Sequence, residues 1–138
     1  AIMGHEVAHA ILQHGNKRMT QGMGIKLGMA GVQALIGNWG GVSDATKGEM
    51  LKYIGMGAQF GVVLPFGRSH ESEADLEGVR YAIRAGFDPY AAPKLWERMA
   101  QKYPNNSPEF TSTHPASTRR AAELRAAIPQ LIAEEGKR

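Results

Sequence analysis

The residues with the clearest chemical potential stand at the start of the chain, where His5-Glu6-Val7-Ala8-His9 forms an H-E-x-x-H motif. Residues four apart on a helix share one face, so His5 and His9 can both bind a single Zn²⁺. Glu6 is rotated by about 100° from His5 and lies beside the metal without binding it. The motif therefore predicts a hydrolytic site with one zinc per chain and Glu6 as the general base.

A third metal ligand must come from elsewhere, because a catalytic zinc commonly has three protein ligands and an open position for water. Candidate carboxylates stand together in the segment 68–75, which follows Pro65-Phe66-Gly67 and is predicted to begin a helix. Glu71 and Asp75 are four residues apart and share a face, whereas Glu73 is rotated by about 200° from Glu71. Glu71 is therefore the predicted third ligand. Asp75, one turn on, is predicted to accept a hydrogen bond from the far nitrogen of a ligand histidine.

Composition and charge exclude several other kinds of site. The 138 residues contain no cysteine, which excludes disulfides, thiolate catalysis and cysteine-based zinc sites. The 16 Lys and Arg exceed the 13 Asp and Glu by only three, and no basic run is dense enough for a nucleic-acid or lipid patch. We therefore expect no nucleic-acid partner. With 43% hydrophobic residues, the chain can form one domain around one core.

Helical patterns account for most of the chain, and the predicted fold class is mainly α. No segment shows the alternating pattern of a strand. Gly15-Asn16 is predicted to end the first helix, which is apolar on most sides and expected to be buried. Pro65-Phe66-Gly67 is predicted to break the chain, Gly86 to end a helix, and Pro129 to kink or split the last one. The predicted helices cover residues 1–14, 21–37, 45–62, 69–85, 90–102 and 116–135, with loops at 38–43 and 103–115.

The glycine- and methionine-rich helices at 21–37 and 45–62 are interrupted by charged residues. A membrane span needs about 20 apolar residues, so these helices are not expected to cross a bilayer. Packing through small residues or a lid-like role is favoured, with contact at a bilayer surface as the alternative. The H-E-x-x-H motif begins at the fifth residue without a preceding cap or strand. We therefore expect residues 1–138 to form a single catalytic domain that is a segment of a longer protein.

These residues resemble a known family, the zinc endopeptidases that include the CAAX prenyl protease and the heat-shock protease HtpX. The likeness is strongest to the soluble periplasmic branch of β-barrel assembly-enhancing proteases, and it extends over nearly the whole chain. It is carried by His5-Glu6-x-x-His9, Glu71-x-Glu73-Ala74-Asp75, Thr113-His114-Pro115 and Arg120. The resemblance implies a zincin-like (gluzincin) helical domain with Glu71 as a zinc ligand. It also implies that His114 either stabilises the transition state or caps the zinc at rest, and that Arg120 orients that region or the substrate.

The same resemblance implies strands before the metal helix, which this chain does not contain. It further implies polypeptide substrates, in particular unfolded or misassembled envelope proteins. The expected location is the bacterial periplasm or a membrane surface, with membrane association through parts outside this chain.

Two other interpretations stay open from the residues alone. One is a non-hydrolytic zinc-binding or chaperone-like module on the same fold, with His114 as a fourth ligand; Glu6 argues against it, because a structural site does not need a base. The other is a helical interaction domain without metal. The remaining histidines, His14 and His70, are expected to be structural, and Trp39 and Trp96 are predicted packing anchors.

Overall fold

Helices make up nearly all of the described chain. The computed structural model describes residues 1–104, 114 and 118–136. No β-strand occurs within these ranges, which confirms the predicted mainly α fold class. Most of the predicted loop at 103–115 and residues 116 and 117 of the predicted last helix lie outside the described residues. The helices are α1 (Ile2–Ile11), α2 (His14–Gly37), α3 (Asp44–Ala58), a π-helical turn (Gln59–Val63), α4 (Leu64–Arg84), α5 (Ala91–Lys102) and α6 (Thr118–Glu135).

The chain divides into two compact units. The first unit comprises Ala1–Leu12 and His70–Arg138, and the second unit comprises Gln13–Ser69. Every residue predicted to act in catalysis or metal binding belongs to the first unit. The second unit carries the glycine- and methionine-rich helices.

The core of the first unit is formed by α4, α5 and α6. Arg84 of α4 donates to both carboxylate oxygens of Glu135 in α6, at 2.6 and 2.9 Å. Arg125 of α6 makes a similar pair with Glu97 of α5, at 2.8 Å for both bonds. Between these polar contacts lie the buried apolar side chains of Val79, Ala92, Trp96, Ala121, Leu124, Ile128 and Leu131.

Two glycines let α1 approach α4 closely. A Cβ at Gly4 would lie 2.9 Å from the carbonyl oxygen of Gly78, and a Cβ at Gly78 would lie 2.9 Å from the backbone nitrogen of His5. A side chain at either position would therefore push the two helices apart. The helix with the H-E-x-x-H motif thus packs against the one that carries Glu71.

Burial of α1 is limited to one face. His5 and Ala8 are its buried residues, whereas Met3 is 80% exposed and Ile11 is 60% exposed. The expectation that α1 is buried on most sides is therefore wrong for the described structure. An apolar composition predicts burial only where neighbours exist to cover the surface.

The end of α1 falls earlier than predicted. Gln13 adopts a left-handed conformation with φ 55°, and α2 begins at the next residue. Gly15 and Asn16 consequently lie inside α2 rather than ending α1. The prediction failed because glutamine seldom adopts the left-handed conformation, so the sequence carries no signal for a turn there.

Helical structure continues through both Pro65 and Pro129. Pro65 does not break the chain, because helical structure is continuous from α3 through the π-helical turn into α4. A proline ring clashes with the carbonyl four residues earlier, and that residue, Gly61, lies in the π-helical turn, where the hydrogen-bond spacing is wider. Pro129 lies inside α6, which continues past it to Glu135 and is therefore not split.

The end of α4 follows the prediction. Gly86 adopts φ 76°, and its N–H donates to the carbonyl of Ile83 at 3.0 Å. The N–H of Phe87 donates to the carbonyl of Ala82 at 2.9 Å. These two bonds form a Schellman motif, which confirms Gly86 as the end of the helix.

The second unit has almost no buried core of its own. Among its residues only His14 and Ile36 are buried. Ser43 caps α3 by accepting a hydrogen bond from the N–H of Thr46 at 3.2 Å. None of the described helices combines the length and apolar character that crossing a bilayer requires.

Candidate metal centre

Four potential metal ligands converge in the first unit. His5 and His9 come from successive turns of α1, Glu71 comes from α4, and His114 stands between α5 and α6. One ligand atom from each residue lies within 4.8 Å of the others. The structure thus brings together the three predicted zinc ligands and the histidine implied by the resemblance.

The distances between these atoms fit a tetrahedral metal site. His5 Nε2 lies 3.1 Å from His9 Nε2, 3.3 Å from Glu71 Oε2 and 3.4 Å from His114 Nδ1. Glu71 Oε1 lies 3.4 Å from His9 Nε2, and Glu71 Oε2 lies 3.0 Å from His114 Nδ1. A tetrahedral zinc with bonds of about 2.0–2.1 Å would separate its ligand atoms by about 3.3–3.4 Å.

The chemistry of this donor set also fits a metal ion. Imidazole nitrogens and carboxylate oxygens are the nitrogen and oxygen ligands that zinc takes. Lone pairs that converge at such short distances repel one another unless a proton or a cation lies between them. His5 is 2% exposed and Glu71 is 5% exposed, so water screens this repulsion little. The four residues therefore suit a zinc ion.

Asp75 anchors the outer side of His5. Its Oδ1 lies 3.0 Å from His5 Nδ1, close enough for a hydrogen bond although the alignment falls short of a regular one. The same oxygen accepts a bond from Trp96 Nε1 at 3.1 Å. Arg120 donates to both oxygens of Asp75, at 2.7 and 2.8 Å, and its third nitrogen lies 3.3 Å from Glu71 Oε2.

These contacts shift the pKa values of the buried groups. Burial alone would raise the pKa of Glu71, but hydrogen bonds from His114 and His5 and the charge of Arg120 outweigh it and hold that pKa below its usual range. Burial likewise opposes ionisation of Asp75, and its contacts with His5 and Arg120 lower its pKa. Burial lowers the pKa of His5, but its contacts with Asp75 and Glu71 give a net rise. Both carboxylates are therefore favoured as anions at neutral pH.

Glu6 occupies a different environment from the clustered ligands. Its Oε1 lies 3.7 Å from His114 Nε2, and its side chain is 47% exposed. It therefore lies at the open edge of the cluster, where a carboxylate can reach both water and the ligand atoms. Arg120, by contrast, is only 6% exposed and contacts Asp75 and Glu71.

Two features of the site were missed from the sequence. Trp96 was predicted as a packing anchor, yet its indole N–H contacts Asp75; a buried tryptophan usually needs an acceptor, which was the available signal. The contact between Gly4 and Gly78 had only a weak signal, since isolated glycines in helices have many causes. His70 is buried in α4 but is not among the clustered ligands, and His14 begins α2 rather than ending α1.

Comparisons with known proteins agree with this geometry. The sequence profile of peptidase family M48 matches residues 1–128. Mitochondrial metalloendopeptidase OMA1 of Schizosaccharomyces pombe is 31% identical over 132 residues, covering 94% of this chain and 36% of the relative. Metalloendopeptidase OMA1 of Bos taurus is 30% identical, covering 95% of this chain and 26% of the relative. The β-barrel assembly-enhancing protease of Escherichia coli is 27% identical, covering 91% of this chain and 26% of the relative.

The chain thus spans about a quarter to a third of the length of these relatives, between 26% and 36%. No solved structure matches it. The enzyme class predicted from the H-E-x-x-H motif, a metalloendopeptidase, is the class named for the OMA1 relatives. The profile covers most of the chain and includes every predicted site residue. The chain therefore belongs to peptidase family M48, which confirms the resemblance drawn from its motifs.

Proposed function

We propose that the protein is a zinc-dependent endopeptidase in which His5, His9 and Glu71 bind one zinc ion and Glu6 is the general base. The observation that carries this proposal is the convergence of the four ligand atoms, all within 4.8 Å of one another, beside a carboxylate that is 47% exposed. A purely structural metal site would not need such a carboxylate. When bound, zinc would polarise the scissile carbonyl as a Lewis acid and make a water molecule more acidic.

The chain's own residues would then carry out the proton transfers. Glu6 takes a proton from the attacking water and returns it to the leaving amine, as a general base that becomes a general acid. His5 is held on its outer side by Asp75, which favours the tautomer with a lone pair on Nε2. Arg120 keeps Asp75 and Glu71 ionised through its buried positive charge. No covalent intermediate with the protein is required.

His114 is the proposed regulator of the open position. Its Nδ1 lies within 3.4 Å of ligand atoms of both His5 and Glu71, which supports a role as a fourth, displaceable ligand in the resting site. Its Nε2 faces Glu6 at 3.7 Å. Displacement of His114 would free a position for water or substrate, and the displaced imidazole would then be close enough to donate a hydrogen bond to a developing oxyanion.

The proposed substrates are unfolded or misassembled polypeptides, and the proposed location is the bacterial periplasm or a membrane surface. Support comes from relatives named for β-barrel assembly and for mitochondria, both of which concern membrane-bounded compartments. Any membrane association is proposed to involve parts of the protein outside this chain.

A second candidate function is a non-hydrolytic zinc-binding or chaperone-like module. The observation that favours it is the presence of four protein donors, because closed zinc sites with four protein ligands are commonly structural. In that case His114 would be a permanent ligand and Glu6 would have no chemical task.

One experiment separates these two functions. Full-length protein that contains this chain should bind one zinc per chain and cleave an unfolded protein such as casein. Glu6→Gln should leave zinc content and fold unchanged while lowering cleavage by about 10²–10⁴-fold, the usual contribution of a general base. Stoichiometric zinc without cleavage in the wild type would favour the non-hydrolytic module. Cleavage that survives Glu6→Gln would reject the assignment of the base.

A further inference from the structure

Asp75, the carboxylate behind His5, is held by donors from two further helices. Arg120 of α6 binds both of its oxygens through two guanidinium nitrogens. Trp96 of α5 donates its indole N–H to Oδ1, the same oxygen that lies 3.0 Å from His5 Nδ1. Oδ1 therefore accepts hydrogen bonds from Trp96 and Arg120 and lies 3.0 Å from a third nitrogen, His5 Nδ1, so its position determines where the proton of His5 Nδ1 can point.

Trp96 contacts every member of this arrangement. The guanidinium carbon of Arg120 lies 4.4 Å from the centre of the Trp96 ring, and the His5 ring meets the same indole edge-on at 5.5 Å. The side chain is 1% exposed, so bulk solvent has little access to its N–H. The indole N–H can only donate a hydrogen bond, so Asp75 Oδ1 must be the acceptor.

We propose that Trp96 is a positioning residue for the metal centre. Its indole N–H fixes the rotation of the Asp75 carboxylate, and Asp75 in turn holds His5 with Nε2 directed at the metal. This inference rests on the proposed function, because it takes His5 to be a zinc ligand. Among the described residues, α5 contributes no metal ligand. Through Trp96, it would instead orient the residues that hold His5.

The physical argument concerns the freedom of the carboxylate. Arg120 has a long side chain with many rotamers. If Arg120 were the sole donor, the Asp75 carboxylate could move together with the guanidinium when Arg120 changed rotamer. Trp96 comes from a different helix and has only two rotatable bonds, so its N–H provides a second, rigid reference point. Without that bond, Oδ1 loses a charge-assisted partner in a buried site. Asp75 can then shift towards Arg120 and away from His5 Nδ1.

The competing explanation is packing alone, because Trp96 is also part of the apolar core of the first unit. A test must therefore remove the N–H and keep the shape of the ring. In a Trp39→Phe background, Trp96 is the single tryptophan of the chain. β-(3-Benzothienyl)alanine introduced at position 96 by suppression of a nonsense codon then substitutes sulfur for the N–H at that position, whatever tryptophans the rest of the full-length protein contains. Trp39→Phe without the analogue is the matched control, since Trp39 is 54% exposed in the other unit.

Three measurements test the proposal on purified protein. With the analogue at position 96, the metal-free protein should lose no more stability than one hydrogen bond to a charged group contributes, about 1.5–3 kcal/mol, because the core keeps its volume. The zinc dissociation constant, measured by competition with a chelator, should rise by about tenfold, within the range of about 10–100-fold for residues that orient metal ligands. The visible absorption spectrum of the Co²⁺-substituted protein should also change, because the His5 ligand is reoriented. Trp96→Phe should show the same loss of affinity together with some loss of stability.

An unchanged zinc affinity and an unchanged Co²⁺ spectrum with the analogue would overturn the proposal and leave Trp96 as a packing residue. A parallel loss of affinity in the Trp39→Phe control would overturn it as well. A control protein that binds no zinc at all would contradict the proposed function, so the two failures can be told apart.

Discussion

Leucine and glycine have different surroundings in the two units of the molecule. In the first unit, Leu124 is 1% exposed, and a Cβ on Gly78 would lie within 3.1 Å of three backbone atoms of α1. In the second unit, Leu27 is 72% exposed, and a Cβ on Gly28 would meet nothing within 4 Å. The same residue types therefore carry packing constraints in one unit and almost none in the other.

This difference shows where the site obtains its precision. The proposed metal centre would need the ligand atoms of α1, α4 and residue 114 to keep their positions to within about 0.5 Å, and rigid support makes that possible. The first unit supplies this support through a packed core and a buried network around Asp75. Among its described residues, the second unit buries only His14 and Ile36 and therefore shows no comparable packed core.

The largest expected effect is a contrast in stability between two equivalent substitutions. Leu124→Ala should lower the free energy of unfolding by about 2–5 kcal/mol, because it leaves a cavity in the core. Leu27→Ala should change it by less than about 0.5 kcal/mol, since an exposed side chain loses little on truncation. Chemical denaturation of both variants measures the difference. Similar losses would show that Leu27 is covered in solution and would remove the contrast between the units.

Zinc affinity should respond very differently to the loss of Glu71 and to the loss of Glu73, which lie on different faces of α4. Glu71→Gln should weaken zinc binding by more than about 100-fold, or about 2.7 kcal/mol, because a lost ligand costs more than a lost orienting residue. Glu73→Gln removes an exposed carboxylate two residues away and should leave zinc affinity nearly unchanged. Isothermal titration with a competing chelator provides the measurement. Equal losses would contradict the assignment of Glu71 as the ligand.

The sequence predicted the elements of the site better than the connections between them. The spacing of His5 to His9 and that of Glu71 to Asp75 both follow helical periodicity, which is a local property and can be read without a structure. The end of α4 at Gly86 is also local, because only glycine adopts that conformation cheaply. These predictions depend on residues within a turn or two of each other.

The failures concern effects that are not local or have no residue-specific signal. The left-handed Gln13 is an exception to the usual preference for glycine or asparagine at such a turn. The helix at Pro65 is continuous because a π-helical turn accommodates the proline, and no pattern of apolar residues encodes that turn. The bond from Trp96 to Asp75 spans 21 positions and two helices, so periodicity cannot reveal it.

Alanine substitutions at Gly78 and Gly28 should change the free energy of unfolding in opposite directions. Gly78→Ala should destabilise the protein by about 1–3 kcal/mol, because its methyl group would overlap backbone atoms of α1. Zinc affinity should fall as well, since one of those atoms is the backbone nitrogen of His5. Gly28→Ala should instead stabilise by up to about 1 kcal/mol, because alanine has a higher helix propensity in open space.

Thermal unfolding of the metal-free proteins and zinc titration of both variants test this pair. A stabilising Gly78→Ala would mean that α1 and α4 are farther apart in solution than described. A destabilising Gly28→Ala would indicate that the exposed face of α2 has a close neighbour. Either result would weaken the comparison between the two units.

The smallest expected effect concerns His114. If this residue caps the zinc at rest, His114→Ala should open the site and raise basal casein cleavage by about tenfold, which corresponds to about 1.4 kcal/mol of lost capping interaction. The reason is geometric: Nδ1 lies close to atoms of both His5 and Glu71, so it occupies a position that water or substrate would need. Met23→Ala, at an exposed position of the second unit, is the control and should leave cleavage unchanged.

If His114 acts mainly on the oxyanion, His114→Ala should instead lower cleavage by about 10²-fold at constant zinc content. The sign of the change therefore distinguishes a cap from a catalytic donor, and unchanged kinetics with unchanged zinc affinity would rule out both roles.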